Sequence, residues 1–275
     1  MSQLHGIFGR PYLDLESLLG LEDQVLREVD REVGLALPLA TTSYTGGSLK
    51  WMGVVAPWAE HDGYRDYGHV IEAMSDDAFV DFVSLGESPE RFELARRREY
   101  RFGDETDNPL TLAQMRHLEM AHGVYFPWKH CYHLLENDRW DDKHSGHGKA
   151  FGEEARRLFP KTLALLEALP FREIGRAVIF GVAANDHAPA HRDSEPGRAL
   201  SVAQSISIDP RGDKRFYLVD ATGEAKTRVD ARAYWFNDMD YHGVEAAPVF
   251  QYSLRVDGTF AAGFVERMER AFGRR

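Results

Sequence analysis

The feature that most constrains the fold of this sequence is a change in hydrophobic period near residue 171. Before that point apolar residues recur every three or four positions, as on one face of an α-helix, and after it they alternate with a period of two, as in half-buried strands. Six β-rich runs then follow at intervals of about ten residues, separated by turn-forming clusters. The runs cover residues 176–183, 199–208, 215–219, 225–229, 232–236 and 250–256. This spacing favours an antiparallel sandwich or barrel over alternating βαβ units.

The front of the chain is predicted to be mainly helical. Helical spacing covers residues 13–37, 77–85, 88–101, 110–122 and 149–169. Pro160 is expected to bend or interrupt the last of these helices, and a further helix is predicted at residues 263–272. We therefore predict an α+β fold. A mainly helical region, residues 1–170, packs on a strand-rich core that ends in a helix, residues 171–275.

Charge and cysteine content narrow the classes of partner. Lys and Arg number 33 against 44 Asp and Glu, and the net charge of −11 opposes non-specific attraction to nucleic acid or to an anionic membrane. A small molecule or a peptide is the expected partner, with no nucleic acid and no membrane. A single cysteine, Cys131, excludes an internal disulfide, and no secretory signal or membrane-spanning stretch is recognisable, so a cytoplasmic location is expected. The oligomeric state cannot be predicted from these features.

Three residues in the strand-rich part form a candidate metal site. His191 and Asp193 are separated by one residue, and residues two apart on a strand point to the same face, so both can reach one ion from a single strand. His242, in the run Tyr-His-Gly-Val, is expected to approach from a neighbouring strand. Two imidazoles and one carboxylate form a facial triad, which leaves several coordination positions open on ferrous iron.

Other groupings of possible ligands are weaker. The triplet His117-Leu-Glu119 lies in a predicted helix, where residues two apart point to different sides. His187 and His191 have the spacing of helical zinc ligands, but Pro189 stands between them in a loop-like segment. The aromatic stretch 125–133, which includes two histidines and the cysteine, is interpreted either as core packing or as a wall of the active site.

Several motifs together resemble the iron(II)/2-oxoglutarate-dependent oxygenases, and most of all the aspartyl/asparaginyl β-hydroxylase group. The motifs are Ala177–Gly181, Pro189–Asp193 with Arg198 downstream, Ile208–Pro210 and Phe236–Val244. The resemblance covers about a third of the chain, from Arg176 to Phe260. It implies a double-stranded β-helix, or jelly-roll and cupin-like, core. The separation of the two histidines, 242 − 191 = 51 residues, suits ligands at opposite ends of such a core.

The resemblance also implies a cofactor set and a reaction. His191, Asp193 and His242 would hold Fe(II), 2-oxoglutarate would chelate the metal as cosubstrate, and O2 would take the last position. Succinate and CO2 would be released while an amino acid, a peptide or a related small metabolite is hydroxylated. Halogenating relatives have a small residue in place of the carboxylate, so Asp193 favours hydroxylation. Desaturation, epoxidation and cyclisation depend on how the substrate is placed and stay open.

The far carboxylate of 2-oxoglutarate needs a cation, and a guanidinium matches a carboxylate with two parallel hydrogen bonds. Arg255 is the expected anchor, although it follows His242 by 255 − 242 = 13 residues, further than in the relatives, which brings Gln251 nearer the expected position. Gln251, Ser253 and Arg255 share one strand face by parity, and Ser253 can add a hydroxyl hydrogen bond. Arg198 resembles an arginine that binds a polar group of the substrate, and a solvated arginine is an equal alternative.

Two other function classes stay open at this point. The first is a cupin-like metalloenzyme, an isomerase or a cosubstrate-free dioxygenase, which would bind metal without using 2-oxoglutarate. The second is a non-catalytic β-sandwich binding module whose histidines are structural. Metal binding separates the second class from the enzymes, and binding of 2-oxoglutarate separates the enzymes from each other.

Overall fold

The structure is a computed structural model of the 275-residue chain. It describes residues 4–40, 53–55, 67–102, 108–128, 130–136, 143–194, 197, 199–200, 204–220 and 225–273. The strands in these ranges pair into a six-stranded, a four-stranded and a two-stranded sheet. Every strand pair in them is antiparallel.

The described strands are β1 (Tyr12–Asp14), β2 (Val54–Val55), β3 (Val124–Tyr125), β4 (His130–His133), β5 (Phe171–Val182), β6 (Ala188–His191), β7 (Ser205–Ile208), β8 (Phe216–Val219), β9 (Lys226–Arg228), β10 (Ala233–Phe236), β11 (Tyr241–Val244) and β12 (Gln251–Phe260). The described α-helices are α1 (Glu16–Leu19), α2 (Asp23–Ala36), α3 (Gly68–Glu72), α4 (Asp76–Ser84), α5 (Leu112–His122), α6 (Glu153–Leu158), α7 (Pro160–Glu167) and α8 (Ala262–Phe272). None of the helices in these ranges has the length and apolar character needed to cross a membrane.

The six-stranded sheet has the order β1-β10-β7-β12-β5-β4, and its two longest strands, β5 and β12, lie side by side. One face of this sheet forms the main hydrophobic core. Tyr252, Leu254 and Val256 of β12 point into that core, where residues of α2, α7 and α8 cover them. Burial of this continuous apolar face explains why the helices in the front part of the chain pack on the sheet.

The opposite face of β12 is also buried, but it is polar. It carries Gln251, Ser253, Arg255 and Asp257, none of them more than 8% exposed. The four-stranded sheet, with the order β6-β11-β8-β9, lies on this side. An apolar cluster joins the two sheets and includes Val182, Tyr234 and Phe236 from the larger sheet and Phe216, Leu218 and Val244 from the smaller one. Buried charged groups beside aromatic rings are typical of a ligand site, because such groups are costly in a closed core.

A second hydrophobic core lies within residues 55–126. It contains buried residues of α4 and α5, such as Phe79, Phe82 and Leu118, together with Val55 of β2 and Val124 of β3. The small sheet of β2 and β3 also contacts β6 of the four-stranded sheet. The helical part of the chain therefore has a core of its own next to one of the strands that carry the candidate ligands.

The predicted mixture of helices and antiparallel strands is confirmed, as is the break at Pro160, where α7 begins. The helix predicted for residues 13–37 is confirmed in its second part, which is α2, and wrong in its first part. There β1 pairs with β10, and α1 ends at Leu19 because Gly20, with a φ of 62°, stops the helix. The helix predicted for 88–101 is also wrong: residues 89–91 and 94–99 form separate 3-10 helices. The division at residue 170 stays a prediction, and β1 and β4 from the first part join the sheet of the second.

Candidate metal site

The three candidate ligands come together where the strands β6 and β11 pair. His191 ends β6 and His242 lies directly opposite it on β11, as the sequence predicted, with ring centroids 4.4 Å apart. Oδ1 of Asp193 lies 3.5 Å from Nε2 of His191 and 3.5 Å from Nε2 of His242. Among the described residues, this is the group of three or more His, Cys, Asp or Glu whose ligand atoms all lie within 4.8 Å of one another.

Asp193 reaches the site by a different route from the one predicted. The strand β6 ends at His191, so Asp193 lies in a bend and not on the same strand. The main-chain carbonyl of Asp238 accepts hydrogen bonds from the N–H groups of Asp193, at 3.0 Å, and Ser194, at 3.2 Å. The hydroxyl of Ser194 also donates to Oδ2 of Asp238 at 2.7 Å. The turn that precedes β11 therefore holds the bend that carries the carboxylate.

Both histidine rings are fixed with Nε2 toward the site. Nδ1 of His191 lies 2.8 Å from the carbonyl oxygen of Pro189, and Nδ1 of His242 lies 3.0 Å from that of Asp240. A carbonyl can only accept, so Nδ1 donates in each ring, and Nε2 is the nitrogen that is left to bind a metal. This arrangement is how metal-binding histidines are oriented in proteins.

The electrostatics of the site fit a divalent cation. Burial lowers the pKa of His242, which favours the neutral imidazole that binds a metal. Burial alone would raise the pKa of Asp193, but the neighbouring His242, His191 and Arg255 hold it well below its usual range, so the carboxylate is ionised. Two imidazole nitrogens and one carboxylate oxygen suit iron(II) with open coordination positions.

Arg255 lies beside the metal site and contacts two carboxylates. Its Nη1 is 3.1 Å from Oδ2 of Asp193, and its Nε is 3.2 Å from Oδ1 of Asp257. Arg176 binds the other oxygen of Asp257 through Nη2 at 2.7 Å. Burial would raise the pKa of Asp257, but the two arginines lower it to about 2. The oxygen of Asp193 that faces the histidines is the one that Arg255 does not bind.

The structure brings a further cation, Lys214, into the same interior. Lys214 is 7% exposed, and its Nζ donates to Oγ of Ser253 at 2.5 Å. Among the described residues no carboxylate forms an ion pair with this ammonium, and burial lowers its pKa to about 8. The sequence prediction missed Lys214. The alternation of side chains along a strand could have identified it. Lys214 lies two residues before Phe216 and four before Leu218, which both point between the sheets, so its side chain is expected on the same side.

The other predicted binding residues have different surroundings. The side-chain amide of Gln251 is held at both ends by the main chain, since Oε1 accepts from the N–H of Arg215 at 2.7 Å and Nε2 donates to the carbonyl of Glu245 at 2.9 Å. Ser253 contacts Lys214. Arg198 lies outside the described residues.

The site is partly exposed to solvent at Asp193. The side chain of Asp193 is 28% exposed, against 9% for His191 and 5% for His242. Trp128 packs edge-on against His191, with ring centroids 5.6 Å apart, and also contacts Phe180 at 5.6 Å. Each interpretation of the aromatic stretch 125–133 therefore applies to some of its residues. Trp128 borders the site, while Phe126 and Tyr132 belong to hydrophobic cores.

No protein family model matches this chain, and no curated protein matches it. Solved structures with partial similarity include an oxidoreductase of the 2OG-Fe(II) oxygenase family from Burkholderia pseudomallei, with 14% identity, 46% of this chain and 66% of that chain covered, and a TM-score of 0.30. A prolyl-4-hydroxylase from Pseudomonas putida has 11% identity, 46% and 69% coverage, and a TM-score of 0.26. A cupin domain from Bordetella pertussis has 6% identity, 30% and 78% coverage, and a TM-score of 0.22.

Proposed function

We propose that this protein is an iron(II)- and 2-oxoglutarate-dependent oxygenase that hydroxylates an amino acid, a peptide or a related small metabolite. The observation that carries the proposal is the convergence of His191 Nε2, His242 Nε2 and Asp193 Oδ1 at one partly open point. The proposal includes a double-stranded β-helix formed by the two facing sheets, and membership of the aspartyl/asparaginyl β-hydroxylase group. Both of these finer assignments rest on the resemblance of the sequence motifs.

Bound iron(II) and 2-oxoglutarate together supply the activation of O2 that releases succinate and CO2 and hydroxylates the substrate. The protein's own residues prepare the site for this chemistry. Arg255 occupies Oδ2 of Asp193 and leaves Oδ1 directed toward the two histidines. The carbonyls of Pro189 and Asp240 keep the imidazole rings oriented. The partly exposed side at Asp193 offers a path for a substrate.

Charge balance supports a dianionic cosubstrate. The charge of Asp193 is already matched by Arg255, so a divalent cation would bring two unmatched positive charges into a buried region. Lys214 adds another ammonium whose hydrogen-bond partner is a hydroxyl group. The carboxylate of Asp209 lies close enough to act on the charge of Lys214 and offsets it, although its oxygens accept from the main-chain N–H groups of Gly212 and Lys214, so the two charges of the metal ion are the ones left unmatched. A dicarboxylate such as 2-oxoglutarate offsets this excess of positive charge.

Two cations compete for the role of anchor of the far carboxylate. Arg255 is the anchor proposed from the sequence, with Ser253 and Gln251 as neighbours on the same face of β12. Lys214 is the alternative, because Arg255 is engaged by two carboxylates while Lys214 has Ser253 as its hydrogen-bond partner. In either assignment Ser253 can add a hydrogen bond to the carboxylate.

Anaerobic titration of the iron(II)-loaded protein with 2-oxoglutarate tests the proposal. The wild type is expected to develop the weak visible charge-transfer band of the chelate. Lys214→Met and Arg255→Ala, compared at saturating iron, identify the anchor as the residue whose loss raises the 2-oxoglutarate concentration needed at least tenfold. Lys226→Met is the matched control. Lys226 is an exposed lysine on the outer strand β9, and it forms an ion pair with Glu245.

Two results would reject the proposed function. Bound iron without a band would favour the cupin-like metalloenzyme, and absence of stoichiometric metal would favour a non-catalytic binding module. Substrate class and location are also proposals. The net charge of −11 favours a small molecule or a peptide over nucleic acid or a membrane surface, and the single cysteine is consistent with the cytoplasm.

A further inference from the structure

The first described segment of the chain, Leu4–Arg10, folds into a compact turn that we call the clasp. Ile7 and Arg10 exchange two main-chain hydrogen bonds, of 2.8 and 2.9 Å, and the side chain of Ile7 is buried in the main core. Gly6 has a φ of 58°, and a Cβ atom at this position would lie 2.2 Å from the carbonyl oxygen of Arg10. Glycine is therefore required at this position for the clasp to keep its shape.

The clasp binds the turn that leads into β11, more than 200 residues away in sequence. The carboxylate of Asp240, which is 3% exposed, accepts from the main-chain N–H of His5 at 2.6 Å and from that of Gly6 at 2.8 Å. The side-chain amide of Asn237 donates to the carbonyl of Gly6 at 3.0 Å. Both oxygens of this buried carboxylate are thus used by the clasp.

The same turn holds two of the three candidate ligands. The carbonyl of Asp240 accepts from Nδ1 of His242, and the carbonyl of Asp238 accepts from the N–H of Asp193. A displacement of the turn would therefore move the ring of His242 and the bend that carries Asp193 together.

We propose that the clasp is a positioning element of the metal site, which acts through the carboxylate of Asp240 on the orientation of His242 and Asp193. The inference rests on the proposed function in one respect, namely that these residues hold a metal. None of the described clasp residues is itself a candidate ligand, so the effect is transmitted through the main chain of residues 237–240. Residues that orient metal ligands in this way typically change metal affinity ten- to a hundredfold when they are lost.

Binding of cobalt(II), a spectroscopic substitute for iron(II), to the purified protein tests the proposal. Gly6→Ala is expected to displace the clasp although it replaces no side chain of the site, and Asp240→Asn replaces one of the two acceptor oxygens with a donor. We expect both variants to raise the cobalt dissociation constant at least tenfold and to alter the visible absorption bands of the bound ion.

Two control variants separate positioning from a loss of stability. Gly20→Ala introduces the same left-handed strain, because Gly20 has a φ of 62°, but an added Cβ atom meets no atom within 4 Å. Glu32→Gln alters another carboxylate that accepts two main-chain N–H groups, those of Lys161 and Thr162, far along the chain from the ligands. Both controls are expected to keep the wild-type cobalt affinity and spectrum, even where the unfolding temperature of the metal-free protein falls.

Wild-type cobalt affinity and spectrum in Gly6→Ala would overturn the proposal, whether or not Asp240→Asn folds. Equal losses in Gly6→Ala and Gly20→Ala would also overturn it, because a general loss of stability would then explain the effect. Failure of the wild type itself to bind cobalt is a different result, which would reject the metal site and the proposed function with it.

Discussion

Nη1 of Arg255 lies 3.1 Å from Oδ2 of Asp193, so the cation expected to bind a cosubstrate is hydrogen bonded to a proposed metal ligand. Arg255 is 8% exposed and also contacts Asp257, which in turn binds Arg176. These four side chains form a row of alternating charges that ends at the metal site. The position of the Asp193 carboxylate is therefore linked to buried residues of β5 and β12, in addition to its own bend.

Replacement of Arg255 is expected to weaken metal binding as well as any binding of 2-oxoglutarate. Arg255→Ala frees Oδ2 of Asp193 and leaves its carboxylate without the group that fixes its orientation, so the cobalt dissociation constant should rise ten- to a hundredfold. Arg255→Lys should recover part of this loss, because an ammonium keeps the charge but not the planar fork. The measurement is an absorbance titration with cobalt(II). Arg232→Ala, which removes a partly exposed ion pair with Glu16, is the control, and an unchanged affinity in Arg255→Ala would contradict the prediction.

Asp193→Ala is expected to abolish turnover of 2-oxoglutarate. Two imidazoles alone hold a divalent ion weakly, and the carboxylate is the ligand that supplies the negative charge of the site. The measurement is succinate formation at a fixed concentration of iron(II), with circular dichroism to show that the variant is folded. Asp186→Ala changes an aspartate in the loop before β6 and should retain wild-type turnover. Full turnover in Asp193→Ala would show that the proposed mechanism is wrong.

The alternation of side chains between the two faces of a strand accounts for most of what the sequence could predict about the site. It correctly places Gln251, Ser253 and Arg255 on one buried face of β12, and it brings His242 to a strand beside His191. These predictions succeed because the side chains of a strand alternate between faces whatever its partners are. Parity does not reveal where a strand ends, so the bend that carries Asp193 was not foreseen.

Contacts between distant segments leave no local pattern in the sequence. The hydrogen bond between Gly6 and Asp240 joins residues 234 positions apart, and the helical period at residues 13–37 gives no sign that residues 12–14 pair with β10. The position of Lys214 is an intermediate case. The sequence indicates that Lys214 shares a face with Phe216, because the two residues are two positions apart. Its hydrogen bond to Ser253 depends on how two separate strands pack. Tertiary packing decides such cases.

Packing of Trp128 against His191 predicts an optical signal for metal binding. Cobalt(II) absorbs visible and near-ultraviolet light and quenches nearby indoles, so binding should lower tryptophan fluorescence, and Trp128→Phe should remove part of that quenching. Trp235→Phe is the matched control, because Trp235 lies in the main core against Phe260 on the other face of the larger sheet. The quenching amplitude at saturating cobalt is the quantity to compare. Equal amplitudes in the wild type and Trp128→Phe would contradict the placement of Trp128 beside the site.

Lys214 is expected to reduce the stability of the ligand-free protein, and the effect should depend on pH. Burial lowers its pKa from 10.5 to about 8, so between these values the unfolded chain binds one more proton than the folded protein. The free energy of unfolding therefore rises with pH in this window, by up to about 3 kcal/mol for the full shift. Lys214→Met should remove this rise and be more stable than the wild type at pH 7, while Lys226→Met, on the exposed strand β9, should follow the wild type. Urea unfolding of the three proteins at pH 7 and pH 9 measures the difference. A Lys214→Met protein less stable than the wild type at pH 7 would mean that the ammonium stabilises the fold, which would remove the reason to assign it to a bound anion.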